Sequence, residues 1–195
     1  MVSLVIGDLV VHLCGVLDAT LAGDVPGERR VVVPTSGRSD TDPFQADAVT
    51  LLIVNVEEDR LLRPPNPHER RDESGVSTVA PDLRLDLHML LVARFARYDQ
   101  SWTALSSLLR YFQTHPVVDR ITDPALPDGI DRLAFTLHTL SLAEQAQLWG
   151  FLRTAYLPSL AYRVSMLTFT DTTPTARPLV TERRLDLAHI PGRDS

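Results

Sequence analysis

The sequence predicts an α+β fold, a single mixed β-sheet with helices packed on one face. The stretch LRLDLHMLLVARF, Leu83 to Phe95, carries apolar residues at every odd position, while its even positions begin Arg84, Asp86, His88 and turn apolar only at Leu90 and Val92. Strand side chains alternate faces, so this is a central strand with one face buried throughout and the other wet for its first half. VTLLIVNV, Val49 to Val56, is too apolar on both faces for an edge and belongs inside the sheet. Helical and strand periodicities then follow one another without strict alternation, which favours an α+β layer over a doubly wound fold.

In chain order, Ser3 can cap a helix in which Leu4, Val5, Leu9, Val10, Leu13, Val16, Leu17 and Leu21 recur at helical spacing, ending near Gly23. Arg30 to Val33 is a short strand candidate. From Glu57 to Asp82 charge, proline and glycine dominate, and residues 57–82 are expected to form a mobile loop or extended flap. After the central strand, Asp99 or Ser101 can cap a helix with Trp102, Leu105, Leu108, Leu109 and Phe112 on one face, stopped by Pro116. Asp123 to Gly129 is turn chemistry, and Leu133, Phe135 and Leu137 alternate as a strand. Ser141 with Glu144 forms a capping box for a helix that buries Trp149 with Leu148 and Leu152 nearby, and Tyr156 to Ser159 breaks it. Leu160 to Phe169 is a strand with Arg163 and Ser165 opposite Tyr162, Val164 and Met166. The expected organisation is one domain over residues 1–171 and an extended arm over 172–195, in which TDTTPTARP is extended and Leu179 to Leu187 is compatible with a strand.

A chain of 195 residues buries roughly 70% of its unfolded surface and needs no staple. A formal charge of -6 argues against a nucleic-acid binder, since phosphate neutralisation needs a basic face. All 19 basic residues are arginine. The single cysteine, Cys14, excludes an internal disulfide and a cysteine-based zinc site. Asp8, His12 and Asp18 interrupt the apolar N-terminus, which lacks a basic region, so neither a secretory signal nor a spanning helix is expected.

Catalytic motifs are missing from the sequence. There is no HExxH helix, no G-x-S-x-G elbow, no GxxxxGK[ST] and no GxGxxG, and the histidines at 12, 68, 88, 115, 138 and 189 fall on different elements. Asp86 and His88, neighbours on the wet half of the central strand, are the nearest approach to a catalytic or metal pair, and a solvated polar pair accounts for them. No metal, cofactor or catalytic residue is expected.

LRLDLHMLLVARF, LLRYFQTHPVV, LAEQAQLWGFLRTAYLPSLAYRV and VTLLIVNVEED before a proline-arginine loop together resemble the cap, or tail-terminator, family of extracellular contractile injection systems, specifically its N-terminal domain. These are phage-tail-like particles of the antifeeding-prophage and virulence-cassette kind. Leu85-Asp86-Leu87-His88, His115-Pro116-Val117 and Leu148-Trp149 with Tyr156, Pro158, Ser159 and Tyr162 carry the resemblance most specifically. Arg94-Phe95 departs from it, where a small residue and tyrosine are expected, and the tail matches only in its arginine and leucine character.

The resemblance implies a phage tail-terminator-like fold and a structural, non-enzymatic protein. It further implies a homo-oligomeric ring, a hexamer, that closes the distal end of an inner tube and contacts the last sheath layer. Partners would be the tube and sheath proteins, with neither nucleic acid nor membrane, and assembly would be cytoplasmic whether the particle stays inside or is released. A short variant is implied, since no added domain follows Ser195. Arg70, Arg71, Leu179, Val180, Arg183, Arg184, Leu185 and Leu187 are the expected assembly interface. The competing readings are a monomeric small-molecule or peptide-binding module using the 57–82 loop as a lid, and a hydrolase relying on Asp86 and His88.

Overall fold

Leucines four residues apart make the first element. Helix α1, Val5–Leu21, buries Leu9, Leu13, Leu17 and Leu21 as one stripe. The computed structural model describes residues 5–25, 27, 29–34, 44–58, 68–72, 75–79, 84–167 and 175–177. Ser3 and Leu4 lie outside them. Near the end of α1, the Asp18 carboxylate accepts the backbone N–H groups of Arg30 (2.5 Å) and Val31 (2.9 Å), and the Arg30 guanidinium stands 3.6 Å from it. These bonds set strand β1, Val31–Val32, against the helix.

Strand β2, Ala48–Glu58, runs through the apolar VTLLIVNV stretch. Within the segment that composition marks as a loop, β3, His68–Asp72, and β4, Gly75–Val79, form an antiparallel hairpin. Strand β5, Arg84–Arg94, is the central strand, and helix α2, Tyr98–Thr114, follows it. The remaining elements are β6, Val117–Asp119, β7, Arg132–Leu137, α3, Leu142–Leu152, β8, Ser159–Leu167, and β9, Thr175–Arg177.

The main sheet has the order β1-β2-β5-β8-β7-β6, with β1 parallel to β2 and every other neighbouring pair antiparallel. Its odd-numbered β5 face, Leu87, Met89, Leu91 and Ala93, packs with Tyr162, Val164, Met166, Leu133 and Phe135 beneath α1 and α2. Phe112 of α2 is the aromatic hub there, its ring centroid 4.4 Å from that of Tyr162 and 4.9 Å from that of Phe135. The mixed α+β sheet is the predicted one, and α1 and α2 share a face as expected. The third helix corrects the one-face arrangement. Trp149, with Leu148 and Leu152, joins Phe44, Leu90 and Val92 in a second cluster on the opposite face. Leu90 and Val92 are the late apolar even positions of β5, and without α3 they would face water.

Residues 1–63 with 82–170 form one compact unit, and residues 64–81 with 171–195 form another. In the second unit β9 pairs with the free side of β4, Thr175 opposite Thr78 and Arg177 opposite Val76. The predicted extension of TDTTPTARP is therefore realised at Thr175–Arg177.

Local chemistry explains where the helices begin. At α3, Ser141 Oγ accepts the Glu144 N–H at 3.3 Å while the Glu144 carboxylate accepts the Ser141 N–H at 2.8 Å, the capping box that the sequence announces. The Ser141 hydroxyl also donates to the Glu144 carboxylate at 2.7 Å, and this bond with the backbone one holds the Glu144 carboxyl below its ordinary range. A lowered folded pKa adds stability above the unfolded value and forfeits it as pH falls through the folded one. Ser141→Ala is expected to cost about 1 kcal/mol at neutral pH. The gap to wild type should narrow in acid below the carboxylate range, the part that survives being the Ser141 Oγ bond to the Glu144 N–H, as urea unfolding at stepped pH would measure. Helix α2 differs from expectation. Its N-cap is Arg97 with no side-chain cap; Asp99 sits in the first turn paired with the Arg97 guanidinium, and Ser101 Oγ is buried and accepts the Phe95 N–H at 3.3 Å. Leu105, Leu108 and Phe112 are buried, whereas Trp102 and Leu109 lie at the stripe's exposed margins.

Candidate functional site

Helix α3 covers only the apolar half of its sheet face, and the other half is polar. A bulge in β2 helps to build it. Ile53 pairs with Met89 but Asn55 pairs with His88, so the ladder skips Val54 and the side chains beyond it exchange faces. Asn55 and Glu57 thereby come beside His88 and Asp86. On the other side of β5, His88 pairs with Arg163 and Asp86 with Ser165, and β7 continues the two rows with Thr136 and Ala134. One row reads Asn55, His88, Arg163, Thr136 across four strands, and the next reads Glu57, Asp86, Ser165, Ala134.

Within this patch Ser165 Oγ donates to Asp86 Oδ1 at 2.5 Å and Asn55 Nδ2 donates to Glu57 Oε1 at 2.8 Å. His88 Nε2 stands 3.4 Å from Glu57 Oε2, an ion-pair distance when the ring is protonated, yet it is buried and lacks the alignment of a hydrogen bond. The His138 ring meets His88 edge-on at 5.9 Å.

The arrangement does not assemble the hydrolase constellation weighed above. A serine nucleophile needs a histidine as its base, with the base oriented by a third group. Here the serine contacts the carboxylate directly and the histidine lies beside a different carboxylate. Among the described residues no group of three or more histidines, cysteines or acids is placed to hold a metal ion. Cys14, half-buried on α1, has its thiol pushed up to about 11 by burial and, less, by the Asp18 carboxylate, which keeps it protonated and unreactive. Asp86→Ala or His88→Ala is expected to shift stability by no more than about 1.5 kcal/mol. A larger loss in chemical denaturation would show that the patch holds the sheet together.

Cavities add little. The depression lined by Leu137, His138, Leu140, Gln145 and Ala161 holds about 180 Å³, below the roughly 300 to 1,000 Å³ of ligand sites. A groove of about 570 Å³ along α2, between Tyr98, Trp102, Arg110 and Asp24, is large enough, but Ser107 Oγ donates to Asp24 at 2.5 Å and no histidine or cysteine lines it.

Of the interface residues predicted from sequence, Arg70 and Arg71 lie on β3, opposite Ser77 and Val76. Leu179, Val180, Arg183, Arg184, Leu185 and Leu187 fall outside the described residues. The sequence does not bring Glu57, Arg163 and Ser165 into one patch with Asp86 and His88, because the β5–β8 register is tertiary and the bulge that turns Glu57 toward them leaves no mark in the mostly apolar run of β2. The described helices include none long and apolar enough to cross a membrane.

Two solved structures share this architecture. The sheath/tube terminator of the extracellular contractile injection system PVC, in its extended state, superposes with a TM-score of 0.54 at 15% identity, covering 95% of this chain and 65% of that one. The tube-terminating cap of the anti-feeding prophage gives a TM-score of 0.52 at 15% identity, covering 90% of this chain and 60% of that one. This chain thus spans less than two thirds of either protein. No curated protein matches it in sequence. The sequence model of the Pvc16 N-terminal domain matches residues 11–183. That match takes in α1 from Val11 onward, the other two described helices, the main sheet and the hairpin, and the chain belongs to the Pvc16 N-terminal domain family.

Proposed function

We propose that this protein is a structural cap of a contractile injection system, a hexameric ring that closes the distal end of the inner tube, contacts the last sheath layer and catalyses no reaction. The observation that carries the reading is an architecture shared, over nearly the whole chain, with two proteins that terminate such tubes. The wet half-sheet supports it as well, because it presents polar side chains from four strands without assembling a catalytic constellation. Residues 1–171 would be the cap domain and residues 172–195 its arm. Arg70, Arg71, Leu179, Val180, Arg183, Arg184, Leu185 and Leu187 would supply contacts to neighbours, and assembly would take place in the cytoplasm. A closed ring requires two different, complementary surfaces on each copy.

The test is to mix purified protein with preassembled inner tubes and count capped ends by negative-stain imaging, with mass photometry of the free protein. Capped ends and a mass of six chains are expected. Bare ends beside monomeric protein would overturn the reading.

A further inference from the structure

We infer that the outer edge of β2, from Leu51 to Val56, receives residues 179–187 of a second copy as an added strand. The inference rests on the ring proposed above, and it names the two surfaces that meet.

Strand β2 is eleven residues long, and β1 pairs only with Val49 and Thr50. Among the described residues nothing else pairs along that edge. Pro34 lacks the N–H needed to extend β1. Yet Leu51, Leu52, Ile53 and Val54 are buried or half-buried on the two sheet faces, packed into both cores. A long apolar edge of this kind is a template for another strand, which native proteins usually blunt with charge, proline or a short length. Here the blunting begins only at Asn55, beyond the bulge.

The arm has complementary properties. Eighteen residues follow Arg177, enough to reach roughly 60 Å when extended. LVTERRLDL has too few apolar residues to make a core, but Leu185 and Leu187 alternate as a strand requires, and backbone bonding to an edge would satisfy its polar groups. Arg183 and Arg184 would meet the acidic end of β2, where the Glu57 side chain is 57% exposed. Edge and arm are different surfaces, so exchange between copies is head-to-tail, the interface type from which a closed ring is built.

Full-length chains in a Cys14→Ala background would carry either Asn55→Cys, with an affinity tag, or one of Arg183→Cys, Arg184→Cys and Leu185→Cys. Mixing and mild oxidation should give a reducible tagged–untagged dimer with at least one arm position. Crosslinks confined within a chain that carries both cysteines, with no dimer in any mixture, would overturn the inference. Amide exchange supplies an independent check: Leu51 to Val56 should exchange roughly tenfold faster or more in full-length Leu185→Pro, whose proline cannot complete a ladder. Unchanged exchange would also overturn it. If tube ends stay bare while the mixed dimer forms, the capping reading fails and the strand exchange stands. Capped tubes without the crosslink would remove the strand exchange alone.

Discussion

Trp149→Ala is expected to detach α3 from the sheet and to lower stability by about 3 to 5 kcal/mol, a large part of what a domain of this size holds in reserve. Trp149 is 5% exposed. Its ring packs against Phe44 at 5.8 Å and Tyr156 at 5.6 Å, and it shares a cluster with Leu90 and Val92. That cluster is small, so truncation leaves a void that few neighbours can fill. The indole N–H is buried with no acceptor among the described residues. Trp149→Phe, which removes that unpaired donor and keeps an aromatic ring, should therefore lose much less. Urea unfolding of the two variants checks the order, and an unchanged midpoint for Trp149→Ala would mean that α3 contributes nothing to the fold.

Asp18→Ala should produce the second large effect, about 2 to 4 kcal/mol, from polar chemistry instead of packing. One carboxylate oxygen accepts both the Arg30 and the Val31 backbone N–H groups, and its removal leaves two partly buried donors unpaired. The loss propagates, since the Arg30 carbonyl in turn accepts the Val49 N–H at 2.7 Å and so couples β1 to β2. Asp18→Asn keeps an amide oxygen at that position and should recover part of the loss. Denaturation midpoints and amide exchange at Val31 and Val49 measure it, and slow exchange at both in Asp18→Ala would refute the coupling.

Much of this fold is legible in the residues because burial imposes a period. The odd positions of β5 announce the main core, Ser141 and Glu144 announce the start of α3, and Pro116 announces the end of α2. The even positions Leu90 and Val92 also hint that the second face needs a cover, although nothing local says which helix supplies it. Side-chain roles set by geometry are less legible. Asp99 and Ser101 both look like caps, but Asp99 pairs with Arg97 while Ser101 turns inward to Phe95. The strand β6 is three residues long, too short to show a period. The hairpin β3–β4 is hidden in charged sequence because its strands are held by backbone bonds to each other and to β9, with little apolar signal. The polar patch was half legible: Asp86, His88, Arg163 and Ser165 read as the wet sides of their strands, but their pairing across β5 and β8 is set by tertiary register, and the arrival of Asn55 and Glu57 depends on a bulge in β2 that VTLLIVNV conceals.

The register of the main sheet also governs how the protein bears mechanical load. Glu58 pairs with Leu85, and Arg84 pairs with Leu167, so the end of β2, the start of β5 and the end of β8 lie together at one end of the sheet. The chain passes to the second unit through those three strand ends. Tension between Glu58, at that end of β2, and Arg94, at the far end of β5, would draw two antiparallel neighbours in opposite directions, so their ladder bonds would share the load in shear and could not be peeled one at a time.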